Sequence, residues 1–393
     1  MGFCVHNINK STVCLSWTKP DDDQTYVTGH FRLHHGFCGQ HPCYGLCPTD
    51  GYKRTQRFVG TERADQHAIQ HVHDWPLNTR LFYSLDSIDK SGRKSPISHA
   101  IETTTKLSQY LWIAEYGNDR IQQRLRANLG YIDKFGTTGP GDDQFAYPFG
   151  IAADVTYLYI SDSGYDRIKK FRRSDFSFVT KIGTTGAGDD QFDAPRHIDI
   201  DDTYLYICDR NNHRIMKRLK SDLSFVTKIG SNGTGNDQFK QPSGMAVDDT
   251  HVYVTDAVNG RIFKRKKSDL SYVAKIGSSG DGNDQFNYPF GIAVDDTHVY
   301  IADGLNHRIK KHLKADLSYE SKIGTQGSAD DQFDTPYGIA VDNIYVYIAE
   351  GGNHRIQKRL KSDLSFVAKI GTQGSGNDQF DTPTGIYIQQ QFS

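Results

Sequence analysis

"GTQGSGNDQFDTPTGIYIQ" occupies residues 371–389, and close copies of it recur upstream. The Phe of Asp-Gln-Phe falls at Phe145, Phe192, Phe239, Phe286, Phe333 and Phe380, a step of 47 residues each time. A second marker, the Arg of Arg-Ile, keeps the same step through Arg120, Arg167, Arg214, Arg261, Arg308 and Arg355. Two markers without a slip mean one supersecondary unit repeated without insertion, and a period of this size decides the architecture before any local reading does.

Within one unit, "PFGIAVDDTHVYIADGLNHRIKKHLKADLSYESKIG" (289–324), four short β-like runs cover 291–294, 299–302, 308–313 and 319–323. Asp, Gly, Asn and Lys-Ala-Asp turn signals separate them, and no stretch sustains a helical period. Four antiparallel strands in a repeat of this length predict a propeller blade, and radial repetition protects sheet edges. The array begins inside a unit: "YLWIAEYGNDRIQQRLRANLGYIDKFG" (110–136) has a second, third and fourth strand but no first. The last copy has only a first, at 385–389. Together they complete one blade. The expectation is an all-β six-bladed propeller over 106–393, five blades continuous and one composite, opened by deletion of the last dozen residues.

These residues resemble the NHL-repeat family in "RNNHRI", "GLNHRI" and "GGNHRI" and in the Gly-rich lead-in to Pro-x-Gly-Ile-Ala-Val-Asp. A mild departure is "DDTH" or "DDTY" where the family often has a Gly turn. The resemblance implies a six-bladed propeller, used across that family mostly as a binding platform for protein or RNA and in a minority as a hydrolase or lyase.

Residues 1–105 read differently. Val13, Leu15 and Trp17 alternate with Cys14 and Ser16, and "WPLNTRLFYSLDSIDKSGRKSPISHAIETTT" follows at 75–105. The segment resembles a fibronectin type III β-sandwich, with Leu81 where that family has its corner Tyr. Such modules serve as spacers and adhesion units. Five of the six cysteines lie here. A Cys/His-rich loop (34–51), "HHGFCGQHPCYGLCPTDG", gathers Cys38, Cys43 and Cys47 with His34, His35 and His41. Three thiolates and an imidazole such as His41 can close a tetrahedral shell on zinc or iron, and one disulfide with a spare thiol, or free cysteines, are the other open readings.

A net charge of −1 gives no bulk attraction to nucleic acid or membrane surface. No apolar run approaches the roughly 20 residues that span a bilayer. "MGFCVHNINK" shows no apolar signal core, so the protein is expected to stay where it is made, to leave by lysis or a signal-less route, or to be numbered after processing. The placement expected is extracellular, on a surface or a virion.

The repeat supplies its own control. A feature in all six units builds blades, and a position where one unit departs is free to serve function. The arginines of Arg-Ile and the acids at 115, 162, 209, 256, 303 and 350 are then within-blade pairs. The second unit departs most: "PRHIDID" (195–201) puts His197, Asp199 and Asp201 on a strand expected to line the central channel. A His and two acids on one face suit metal binding or acid–base work, and a hydrogen-bonded plug is the alternative. The residue after each Pro and the loop between second and third strands also vary. From these, Phe149, Tyr165, Arg196, Arg210, Phe290 and Tyr337 are predicted to form a partner-binding face, since aromatic residues and Arg favour hot spots. "KKFRRSD", "MKRLKSD" and their kin put Lys and Arg on third strands, expected at a solvated outer rim, where a nucleic-acid groove is the sharper reading. The function expected is a non-enzymatic binding or structural platform for proteins or surface glycans. A channel hydrolase or lyase around His197 and an RNA-binding adaptor stand as alternatives.

Overall fold

The computed structural model describes residues 110–388 in full and, before them, the backbone of six strands. The chain divides into two units, Met1–Leu107 and Ser108–Ser393. In the first, Gly2–Asn9 pairs with Thr12–Thr18, and His30–His35, Thr55–Phe58, Arg80–Ile88 and Ala100–Thr104 form a four-stranded antiparallel sheet. The sandwich reading and the knuckle residues Cys38, His41, Cys43 and Cys47 lie outside the described residues.

The second unit is a six-bladed β-propeller. Blades 1 to 5 are four-stranded antiparallel meanders at 148–182, 195–229, 242–276, 289–323 and 336–370. Blade 6 joins Pro383–Ile388 to Tyr110–Glu115, Arg120–Leu125 and Tyr131–Phe135, with Tyr387 opposite Trp112. The composite blade expected from the broken repeat is thus present. First strands neighbour one another around the ring, and Pro383–Ile388 packs back against Pro148–Ala153. Where these strands crowd the axis the repeat has Gly: a Cβ on Gly150 would lie 2.5 Å from the Arg196 carbonyl oxygen of the next blade.

Each core cluster fills the seam between two blades, as Ala152, Tyr159 and Ile168 of blade 1 pack on Ile198, Leu205 and Met216 of blade 2. The six Asp-Gln-Phe phenylalanines are fully buried in these seams. Burial of a ring this size contributes about 2–3 kcal/mol, which makes the repeated Phe a necessity of packing.

The repeated polar residues pin loops. Arg214 Nε donates to Asp209 Oδ2 at 2.7 Å, and Asp209 Oδ1 accepts from the Asp193 amide at 2.8 Å. The same pair recurs as Arg120–Glu115, Arg167–Asp162, Arg261–Asp256, Arg308–Asp303 and Arg355–Glu350. The Asn-His signature is structural too. Asn212 Nδ2 donates to Asp209 Oδ2, and His213, in a left-handed turn (φ 55°), accepts the Gln241 amide on Nδ1.

One expectation is overturned. The basic third strands do not form a solvated rim, because the fourth strands take the outer edge. Lys170, Lys217, Lys264 and Lys358 are buried and cap the turn carbonyls of the next blade, Lys217 donating to Lys267 O at 2.9 Å and Lys358 to Ala127 O at 2.8 Å. Arg124, Arg218, Arg265 and Arg359 are fully buried over Phe380, Phe192, Phe239 and Phe333. A lysine stem is apolar and its ammonium carries three donors, so a cluster of turn carbonyls can hold it inside. A nucleic-acid groove built on these residues is therefore withdrawn.

Candidate functional site: the axial mouth

The first strands begin at one face of the ring and carry the residues that follow each Pro to the axis. Phe149 of blade 1 meets Tyr337 of blade 5 edge-on at 5.9 Å and His197 of blade 2 at 5.0 Å. Phe290 of blade 4 lies 4.5 Å from the same Tyr337. The Arg196 guanidinium sits over Phe149 at 4.2 Å and over Phe290 at 5.8 Å. Residues from four blades thus close the channel with one aromatic plug.

The sequence placed these four on a contact face, and the structure refines that placement. Phe149 is 2% and Phe290 8% exposed, so they are the floor of the mouth. Six strands converge there, and large side chains shield one another. Tyr147, 49% exposed and stacked on Tyr116 at 4.6 Å, forms part of the open rim, with Tyr288 beside Phe290. Sequence reasoning passed over Tyr147 and Tyr288. Both precede the blade Pro at a position that reads Tyr, Ala, Gln, Tyr, Thr, Thr around the ring, so the departure test applied one residue earlier finds them. Arg210 faces the mouth, donating to Gln241 Oε1 at 2.8 Å. Tyr165 stands apart, with the guanidinium of its own blade's Arg167 4.6 Å above the ring.

Charge at the mouth is lopsided. Arg196 Nη1 is sealed from solvent without a hydrogen-bond partner. Burial, with repulsion from Arg210, brings the Arg196 pKa down to about 10.

Below the plug, the channel widens into a partly open cavity of about 80 Å³ walled chiefly by Ile151, Met245, Ile292, Ile339 and Ile386. His197 occupies the slot that is Gly in the other blades and leans into the seam with blade 3, its Nδ1 3.1 Å from Ser243 O, while Nε2 has no partner. Burial and the adjoining Arg196 push its pKa down to about 4. Asp199 accepts the Val247 amide of blade 3 at 2.7 Å and the Ile200 amide at 2.9 Å. Burial, only partly offset by those bonds, raises its pKa to about 7. Asp201 does not join them. It caps the turn after the strand, accepting from the Thr203 and Tyr204 amides and the Tyr206 hydroxyl, as Asp248 and Asp342 do in their blades. The three-residue channel site reduces to one neutral His and one carboxyl. Among the described residues no group of three His, Cys, Asp or Glu is gathered to hold a metal ion.

No family model matches the chain, and no curated protein does. Solved structures do. The crystal structure of a nidogen/laminin complex contains a chain 13% identical, with a TM-score of 0.55 over 70% of this chain and 97% of that one. A protein of unknown function from Bacteroides caccae is 14% identical, with a TM-score of 0.51 over 71% and 98%. A streptogramin B lyase, 14% identical over 69% and 87%, reaches a TM-score of 0.45, too distant to support a role. At these identities the likeness establishes the propeller fold and nothing finer.

Proposed function

We propose that this chain is a non-enzymatic binding protein, an NHL-type propeller that contacts other proteins through the aromatic face. The observation that carries this reading is the convergence of Phe149, Arg196, Phe290 and Tyr337 on the axis at positions where the repeat changes, rimmed by Tyr116, Tyr147 and Tyr288. Rings set in a packed floor lose little side-chain entropy on contact, and Tyr and Arg are the residues on which interface energy concentrates. That a similar propeller was solved in a nidogen/laminin complex is in keeping with such use.

The channel supports the enzyme reading less well, since a hydrolase site draws acids or imidazoles from several blades and this wall offers His197 and Asp199 from one. The first unit serves in this proposal as a fibronectin-like adaptor whose Cys38, Cys43, Cys47 and His41 hold zinc or iron, and the assembly is extracellular, on a surface or a virion. Surface glycans are the second class of partner.

A photo-crosslinking residue at Tyr147 on the aromatic face, with Asp202 on the opposite face as control, tests the platform. Specific protein adducts are expected at 147 and not at 202. Adducts confined to 202 refute the assignment of the face.

A further inference from the structure

Apart from Arg196, the buried guanidinium groups of the propeller are each held by an acid or a backbone carbonyl, Arg173 by Asp154 O at 3.1 Å. Arg214 pairs with Asp209, Arg218 with Asp190, Arg359 with Asp331, and the same two patterns recur around the ring. Arg196 has neither acid nor carbonyl: among the described residues it donates no hydrogen bond, and its Nη1 is sealed against the rings of Phe149 and Phe290. Arg210 of the same blade, close enough to repel it, is bonded only to the neutral amides of Gln241 and Asn211. An uncompensated buried charge is costly to a fold, and this one sits where four blades converge and partly open to the face.

We infer that the axial mouth is a carboxylate-binding pocket that takes an acidic side chain from a partner protein, with Arg196 and Arg210 receiving the carboxylate and the tyrosine rim packing its methylenes. This deepens the binding-platform reading and rests on it. Three features select a carboxylate. A planar guanidinium matches it in two-point geometry. Arg210 also feels Asp193, so part of the positive charge at the mouth is already offset and a singly charged ligand group is enough for Arg196. A nucleic-acid chain needs cations tracking successive phosphates, and Lys170, Lys217, Lys264 and Lys358 of the third strands are already committed to turn carbonyls.

The probes are the capped peptide acetyl-Ala-Glu-Ala-amide, its Gln and phosphoserine analogues and a short oligothymidylate, titrated into the full chain at fixed ionic strength by ligand-observed NMR. The Glu peptide is expected to bind about tenfold or more tighter than the Gln peptide, the scale of a charge-assisted pair. Arg196→Gln removes that preference at no more than a small cost in melting temperature, because the guanidinium has no hydrogen bond to lose and gives up only its contacts with the Phe149 and Phe290 rings; Arg196→Met is the second variant should the first misfold. Equal binding of the Glu and Gln peptides, or a preference that survives in R196Q, overturns the inference. Tighter binding of the phosphoserine peptide or the oligonucleotide overturns the carboxylate assignment. A Glu preference together with crosslinks confined to the opposite face sinks the platform and leaves the pocket, and the reverse pattern does the opposite.

Discussion

Replacing Asp199 by Asn tests whether the channel carboxyl is held uncharged. Asp199 is raised from 3.8 to about 7 by burial between blades 2 and 3. The native state therefore binds its proton more tightly than the unfolded chain does. The stability tied to that proton is fully present below about pH 4 and is lost as pH rises through about 7. Each tenfold difference in proton affinity is worth about 1.4 kcal/mol, which sets a ceiling near 4 kcal/mol. Water reaching the channel screens the charge, so about 2 kcal/mol is the working figure. Asn keeps an oxygen for the Val247 amide and carries no proton to lose. Across pH 4.5 to 8, D199N should therefore gain on the natural chain by roughly 4 °C in melting temperature, at roughly 2 °C per kcal/mol for a domain of this size. Calorimetry of both proteins through that range is the assay, and taking their difference removes the titrations they share. A difference flat to within about 1 °C would show that Asp199 ionises freely in the channel and that its burial has been misjudged.

Truncation after Phe380 removes the first strand of blade 6 and exposes the edge of Tyr110–Glu115; the melting temperature should fall sharply and those amides should exchange quickly, and unchanged melting refutes the closure. Arg214→Ala strands Asp209 inside blade 2 and should cost about 3–5 kcal/mol in denaturant unfolding, whereas a loss below about 1 kcal/mol would mean water replaces the arginine. Elemental analysis of the purified chain should find stoichiometric zinc or iron that Cys43→Ser releases while the propeller stays folded, and a mapped disulfide between two of Cys38, Cys43 and Cys47 in metal-free protein ends the knuckle proposal.

The blades were legible because their information is periodic. A 47-residue step, a Phe in every seam and an Arg five residues after an acid are visible in one dimension, and the missing first strand of the opening unit announced the composite blade. The fate of the third-strand lysines was not legible. "RIMKRL" reads as a wet strand until the turn of the next blade, Lys267 and Ser268, brings its carbonyls to Lys217, and that partner lies 50 residues away. The same limit hid the plug. Varying residues identified Phe149, Arg196, Phe290 and Tyr337, but whether they face a partner or one another depends on how closely six strands approach the axis. Asp201 was misassigned because its spacing from Asp199 satisfied a strand period past the point where the strand ends.

The composite blade imposes an order of events on synthesis. Three of its strands leave the ribosome early, and the fourth, Pro383–Ile388, begins 268 positions beyond Glu115. At about 5–20 residues per second, the Tyr110–Glu115 edge waits some tens of seconds for its mate. Throughout that interval it is an open template, while the five continuous blades, each supplied with its own first strand, are still being made. A crowded polysome offers it the equivalent strand of another nascent copy, so the hazard of trading strands between molecules is concentrated in this one blade and in the time before the chain is finished.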